Sequence, residues 1–321
     1  MSKIITNDRR MKEVIQLAET VSQSKATVLI QGESGTGKEV LASMIHSCST
    51  RKNKPFVAIN CAAIPENLLE SELFGYERGA FTGAASSKAG KFEFANNGTL
   101  LLDEISEMDL KLQAKLLRVI QESEVDRIGG RKPIPIDVRI VATTNKNLAE
   151  CVKEGTFRED LFYRLNVVNL TLPPLRERIG DVEILSEYFI SKLAAKNNSS
   201  IKKIDIDALK KLDSHLWPGN VRELENVIER ALITAGEVIL VNDIVLQNSL
   251  ESQSMRKELV EDNEMTSWIP GKTLHDIERE IIIKALDHHS GNRTHTAKAL
   301  GISIRTLRNK IAEYKKVGIY L

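Results

Sequence analysis

Gly32-Glu33-Ser34-Gly35-Thr36-Gly37-Lys38-Glu39 follows the short apolar run Val28-Leu29-Ile30 and opens a stretch with helical spacing. A strand that ends in a glycine loop and feeds a helix is the context a phosphate-binding loop requires. The glycines let backbone N–H groups close around phosphate oxygens. The helix N-terminus adds partial positive charge, and Lys38 supplies a point charge to the β and γ phosphates. The general motif ends in Ser or Thr, whose hydroxyl binds magnesium, whereas this chain has Glu39 and so lacks one generic magnesium ligand. The bland alternative is a glycine-rich turn before a helix.

Outward from the loop, Phe56-Val57-Ala58-Ile59, Leu100-Leu101-Leu102, Val138 to Ala142 and Val167 to Leu170 are four further strand-like runs. Leu110 to Glu122 has helical spacing, with Leu112, Leu116, Val119 and Ile120 on one face and Asp109 placed to cap it. Strands separated by helices over residues 1–170 predict an α/β domain with a parallel sheet and helices on both sides. After Pro173-Pro174 the strand signal fades. Asp181 to Lys196, Asp205 to Leu216 and Asn220 to Ala235 read as helices of a subdomain over residues 171–248. Residues 249–272 are polar and acidic and end at Pro270-Gly271, the composition of a linker. Residues 273–321 read as a small helical domain.

Thr99-Leu100-Leu101-Leu102-Asp103-Glu104 is a buried-type strand ending in two carboxylates. Alone that is a weak signal. Downstream of a phosphate loop, Asp103 is placed to hold magnesium and Glu104 to polarise an attacking water. Three cysteines without CxxC spacing exclude a disulfide framework or a zinc site and fit a reducing compartment. None of the six histidines has a convincing ligand set. Hydrophobic content of 42%, charge of 28% and a net charge of +1 are ordinary for a soluble globular protein. No apolar run approaches a membrane span, and the N-terminus lacks a signal-peptide core. The expectation is a cytoplasmic protein with no membrane partner.

Gly79-Ala80-Phe81-Thr82-Gly83-Ala84 reads as a protruding loop, with two glycines for tight turns and one aromatic as a contact tip. By composition it could be any surface hairpin. Some forty residues after a phosphate loop, it is the hallmark of one family: from Ile4 to Tyr314 the chain resembles the NtrC-like bacterial enhancer-binding activators of sigma-54 RNA polymerase, a branch of the AAA+ ATPases. These activators have GESGTGKE as their usual phosphate loop, so Glu39 supports the resemblance. It implies an AAA+ P-loop three-layer sandwich with a helical lid, binding ATP with magnesium through Gly32 to Glu39. It implies that Asn60 pairs with and gates Glu104, although Asn60 could equally be a turn or capping residue. Asn145 resembles the sensor of the γ-phosphate, and Arg222, in Trp217-Pro218-Gly219-Asn220-Val221-Arg222, the second sensor on the lid. Arg158 and Arg164 match the arginine fingers that act on the neighbouring subunit's nucleotide, or either is a salt-bridge partner of Glu159 or Asp160. Fingers in trans require a homo-oligomeric ring, which the resemblance makes a hexamer or heptamer. Residues Gly79 to Ala84 would grip sigma-54 in the polymerase holoenzyme through Phe81 and Thr82, supported by a second loop around Glu122 to Gly130.

The C-terminal residues read as a helix-turn-helix. Leu274 to His288, Thr294 to Leu300 and Ser303 to Tyr314 are its helices, Gly301 its turn, and Ala297, Leu300, Ile302, Leu307 and Ile311 its core. From His289 to Leu321 there are seven Lys or Arg and one acid, Glu313, the charge footprint of a double-stranded DNA reader. The domain resembles Fis-type DNA-binding domains, with Arg305, Thr306, Arg308, Asn309 and Lys310 on the recognition helix. A charged, solvated helix is the plain alternative. Two rivals to the whole reading are a general AAA+ remodeller and a DNA-binding regulator without ATPase function. About thirty residues precede the phosphate loop, too few for a receiver or ligand-sensing domain, so the expectation is a truncated form or control by another protein.

Overall fold

The computed structural model describes residues 4–197, 200–246, 278, 281–283, 285–286, 289 and 292–316. Two compact units divide the chain, 1–247 and 248–321. The first is built on a five-stranded parallel sheet: β1 (Val28–Gln31), β2 (Phe56–Asn60), β3 (Thr99–Asp103), β4 (Arg139–Thr144) and β5 (Val168–Thr171), in spatial order β2-β3-β4-β1-β5. The register pairs Ile59 with Leu102, Leu102 with Ala142, Ile30 with Thr143 and Ile30 with Leu170.

The apolar runs are continuous because both faces of the sheet are covered. Side chains alternate between the faces. Leu29, Leu100, Leu102 and Ile140 join a core with Leu73 of α3 (Glu66–Phe74), Leu116 of α4 (Leu110–Glu122) and Leu161 of α5 (Glu159–Leu165). Val28, Ile30, Leu101 and Val141 enter a second core with Met11 of α1 (Arg9–Ser22) and Leu41 of α2 (Lys38–Ser47). Asp109 caps α4 by accepting from the Lys111 and Leu112 N–H groups. Because all five strands are parallel, their C-terminal ends share one edge of the sheet, where such folds bind ligands. The phosphate loop, Asn60, Asp103 and Asn145 all fall on that edge.

Two short antiparallel hairpins leave this layer, Gly75–Tyr76 with Lys88–Ala89 and Glu124–Val125 with Ile134–Pro135. The lid contains α6 (Asp181–Lys196), α7 (Ile206–Asp213) and α8 (Asn220–Thr234), packed around Phe189, Leu212, Trp217, Leu224 and Ile228. Beside its helices the lid holds a short parallel pair, Lys203–Ile204 with Val238–Ile239. One expectation needs correction. Helix α7 stops at Asp213 rather than Leu216: the Trp217 N–H donates to His215 Nδ1 at 3.0 Å, and Trp217 takes a left-handed φ of 52° ahead of Pro218. The N-terminal segment is pinned to the lid. Buried Asp181 accepts from the Thr6 hydroxyl at 2.8 Å and from the Asn7 N–H at 2.6 Å.

In the second unit, Asn292 caps α9 (Arg293–Ala299), and Ser303 caps α10 (Ile304–Lys316) by accepting from the Thr306 N–H at 3.1 Å. Gly301, at φ 65°, makes the turn between them. Ile282, Leu286, Ala297, Leu307, Ile311 and Tyr314 form the core. Of the helix expected over 274–288, residues 278, 281–283 and 285–286 are helical and the rest lie outside the described residues, as does the expected linker.

Candidate nucleotide site and contact loop

The phosphate loop is stitched to the lid. The Gly35 carbonyl accepts from the N–H groups of Val221 (3.0 Å) and Arg222 (3.3 Å), and the Asn220 amide donates to the Ser34 carbonyl at 3.0 Å. Gly35 is required here twice over. Its φ is 76°, and a Cβ would stand 2.3 Å from the Gly219 carbonyl oxygen. Arg178, buried at the start of the lid, donates to the Thr36 carbonyl at 2.8 Å. The Glu33 carboxylate faces the lid: it takes both ends of the Arg176 guanidinium (2.9 and 2.6 Å) and the Asn220 amide (3.1 Å). The Arg176 hydrogen bond holds the Glu33 carboxyl below its ordinary range.

Lys38 is buried and donates from Nζ to the carbonyls of Gly32 (2.8 Å) and Glu33 (3.0 Å). Desolvation lowers its pKa, and the charges of Asp103 and Glu104 work the other way. Lys38, Glu39, Asp103, Glu104 and Arg222 share a cleft of about 190 Å³ with Ser34, Gly35 and Gly37. Arg222 also approaches the Ser34 hydroxyl at 3.4 Å. A neighbouring cavity of about 230 Å³ has apolar walls from Ile4, Ile5, Val40, Tyr188 and Val221. Both cavities open on Gly37, where a Cβ would meet nothing within 4 Å.

Both Asp103 carboxylate oxygens have donors: the Thr143 hydroxyl on Oδ1, and the Asn60 amide on Oδ2 at 2.9 Å. The Asn60 amide therefore meets Asp103, where a partner of Glu104 was expected. Its Oδ1 accepts from the Ala62 and Ala63 N–H groups, so Asn60 also has the capping function. Glu104 is half-buried in a left-handed conformation, φ 54° and ψ 49°. Burial, the Asp103 charge and a hydrogen bond with Asp103 all push the Glu39 carboxyl upward. Two carboxylates lining one cleft, Glu39 and Asp103, fit a divalent cation. No cluster of three or more His, Cys, Asp or Glu metal ligands exists among the described residues, so phosphate oxygens would have to complete the coordination, as is usual for magnesium.

The arginines lie outside this cleft. Arg158 is a two-point partner of Asp160 (3.0 and 2.6 Å), while its backbone N–H donates to buried Gln113. Arg164 is exposed, reaches the Ile120 carbonyl at 3.4 Å and lines a separate cavity. Asn145 is exposed at the end of β4.

The Gly79–Ala84 loop is closed by the Gly79 N–H on the Ala84 carbonyl (2.9 Å), with Gly79 at φ 82° and Gly83 at φ 105°. Phe81 is 46% exposed and meets Tyr76 edge-on at 4.9 Å. Thr82 is exposed and Ala84 buried. The second loop packs against the base: the Ile128 carbonyl accepts from the Glu77 N–H, and Arg127 bridges Glu77 (3.0 Å) and Glu93 (2.7 Å). On α10, Arg305, Thr306, Arg308 and Asn309 are exposed, but the Lys310 ammonium is taken by Glu278 at 2.8 Å.

Three family profiles match: the Sigma-54 interaction domain over residues 4–171, the AAA+ ATPase lid domain over 176–261, and the bacterial regulatory protein Fis family over 273–314. Transcriptional regulatory protein FlbD of Caulobacter vibrioides is 53% identical over 324 residues, covering 98% of this chain and 71% of FlbD. The chain belongs to the sigma-54-dependent enhancer-binding activators. Regulatory protein AtoC of Escherichia coli is 49% identical, over 97% of this chain and 67% of AtoC. The chain spans 59% of nitrogen fixation protein VnfA of Azotobacter vinelandii. A crystal structure of NtrX from Brucella abortus in complex with ATP superposes with a TM-score of 0.71 at 33% identity, covering 99% of this chain and 70% of NtrX.

As a member of these activators, the chain is an AAA+ ATPase that activates transcription by sigma-54 RNA polymerase. Sequence reasoning missed several residues that shape the activator's site. Arg176, Arg178 and Asn220 hold the lid on the phosphate loop, and Thr143 touches both acidic residues. Asn220 had a visible signal, because Pro218-Gly219-Asn220 marks a turn at a helix start. Thr143 had a fainter one: a hydroxyl inside a strand buried on both faces must find a partner.

Proposed function

We propose that ATP binds with its phosphates in the cleft between Gly32–Glu39 and Arg222 and its base in the apolar cavity beside Ile5 and Tyr188. Asp103 and Glu39 would hold magnesium there together with the phosphates, and the ion would supply positive charge against that building on the transferring group. Glu104 polarises the attacking water, Asn60 orders the acidic turn through Asp103, and Asn145 senses the γ-phosphate from the adjoining strand. Arg158 and Arg164 act on the nucleotide of a neighbouring subunit in a hexameric or heptameric ring. Their place outside their own chain's cleft supports that role. The functional divisions are an ATPase core over 1–170, a lid over 171–248, a linker over 249–272 and a DNA reader over 273–321.

In the cytoplasm the ring, bound to enhancer-like double-stranded DNA through Arg305, Thr306, Arg308 and Asn309, uses turnover to move Gly79–Ala84 against sigma-54 and remodel the closed complex. Lys310 contributes to DNA binding only by leaving Glu278. The observation that carries this reading is the exposed Phe81-Thr82 tip on a loop braced at its base and separate from the phosphate chemistry. Thr82→Ala tests it. ATP turnover should stay within about twofold of wild type while sigma-54-dependent transcript yield falls by roughly tenfold or more, as for loss of a central contact. Normal transcription by the variant would remove Thr82 from the contact.

A further inference from the structure

We infer that Thr143 is a positioning residue for ATP hydrolysis, its single hydroxyl fixing the turn that carries Asp103 and Glu104. The inference rests on the roles given above to those two acids.

Thr143 is fully buried near the end of β4, next to β1 with its phosphate loop and β3 with the acidic pair. Its Oγ1 touches both acids. The Glu104 N–H donates into it at 3.2 Å, and a carboxylate can only accept, so the hydroxyl proton goes to Asp103 Oδ1. One side chain therefore orients a carboxylate and holds a backbone N–H in the adjacent residue.

The backbone of Glu104 makes the second contact matter. A left-handed residue with a Cβ costs about 1–2 kcal/mol and persists only where its surroundings enforce it. Here the Glu104 N–H rests on Thr143, and the Glu104 carbonyl accepts from the Glu107 N–H at 3.0 Å. Without the hydroxyl, the N–H at 104 loses its partner in a partly buried site and Asp103 keeps only the Asn60 amide. The turn then has a reason to relax toward an ordinary conformation, which swings the Glu104 side chain. The step that needs an accurately aimed carboxylate is water activation, so the loss falls on turnover more than on nucleotide binding.

The test compares Thr143→Val, which removes the hydroxyl at constant shape, with Thr143→Ser, which restores it. Thr143→Ala serves should the valine variant fail to fold. Without the hydroxyl, kcat should fall roughly ten- to hundredfold, the range for a lost hydrogen bond to a charged group, with KM for ATP within about threefold. Thr143→Ser should recover most of kcat. Binding of a non-hydrolysable ATP analogue, titrated with and without magnesium, gives a second readout. Affinity without the metal should be unchanged, and the tightening caused by magnesium should shrink. Turnover within twofold of wild type without the hydroxyl, a serine variant as slow as the valine one, or an equal loss of metal-free affinity would each overturn the inference. Glu104→Gln run alongside separates the two levels. If it hydrolyses ATP normally, the assignment of the acidic pair fails, and the bridge has nothing to position.

Discussion

The phosphate loop and the Gly79–Ala84 loop are built alike and surrounded differently. Each uses glycines at left-handed φ: 76° at Gly35 and 100° at Gly37 in one, 82° at Gly79 and 105° at Gly83 in the other. Around Gly35 the lid arrives within hydrogen-bonding distance, with two backbone donors on one carbonyl and no room for a Cβ. Around Gly79 and Gly83 a Cβ would meet nothing within 4 Å. The same residue type thus serves close approach in one place and freedom to turn in the other. The chemistry sits where lid and core hold each other, and the exposed tip sits where the backbone can move on a braced base.

The pair Gly35→Ala and Gly79→Ala breaks this comparison most directly. At Gly35 the new Cβ adds left-handed strain and displaces the lid from the loop, with loss of the bonds from Val221 and Arg222. Together these amount to about 3 kcal/mol or more, a fall in Tm of roughly 6–12 °C for a unit of this size, and nucleotide binding should go with it. At Gly79 only the backbone term of about 1–2 kcal/mol applies, and the loop can relax to reduce it. Tm and ATP turnover should stay near wild type while transcription suffers. Calorimetry, ATPase assay and transcription on both variants settle the matter, and equal damage to turnover would mean the loops are not insulated from each other.

The contrast also explains what could be read from the residues alone. The five strands, the phosphate loop and the acidic pair are written locally, in apolar runs and in motifs with fixed spacing. The strand order is not, because long apolar runs show that a strand is buried and not which neighbour buries it. The hairpins at 75–76 and 124–125 escaped notice because two-residue strands show no period. The clasp of Glu33 with Arg176 joins residues 143 apart in sequence, and Asp103 meets Thr143 across 40, so neither leaves a local trace. Asn60 shows the limit most clearly. Its place at a strand end suited both a cap and a partner for an acid, and the neighbouring strand decided that the acid is Asp103.

Glu33→Gln sharpens the picture of the lid. It keeps the side chain's shape and removes the charge that Arg176 reads. The pair is partly exposed, 38% for Arg176 and 41% for Glu33, so its contribution to stability is small, at most about 1 kcal/mol. Lid closure over the nucleotide should be more sensitive than global folding. The expected result is a KM for ATP raised about two- to fivefold with kcat little changed. A KM equal to wild type would confine the clasp to folding. The same clasp gives an acid limit. Its carboxyl is held below the ordinary range, so the stabilisation is present above the unfolded value and is lost only as pH falls through the folded one.

The smallest expected effect lies at His46, in the last turn of α2 and away from the phosphate loop. Its ring packs on Phe56 at 5.1 Å, and Nδ1 lies 3.0 Å from the buried Thr99 hydroxyl. Burial lowers its pKa, with the hydrogen bond to the Lys54 backbone acting in the opposite sense. The folded chain therefore keeps this ring neutral at a pH where the unfolded chain has begun to protonate it. Above the unfolded value both states are neutral and stability does not depend on this group. Below it the unfolded state binds more protons, so stability falls as pH falls until the folded value is reached. His46→Gln should remove that part of the slope. Unfolding in urea at pH 7.5 and pH 5.5 should show a smaller acid loss for the variant than for wild type, a difference within about 2 °C when followed as Tm. An unchanged slope would mean that the histidine is already protonated in the fold, and that the helix behind the phosphate loop carries a charge the packing does not exclude.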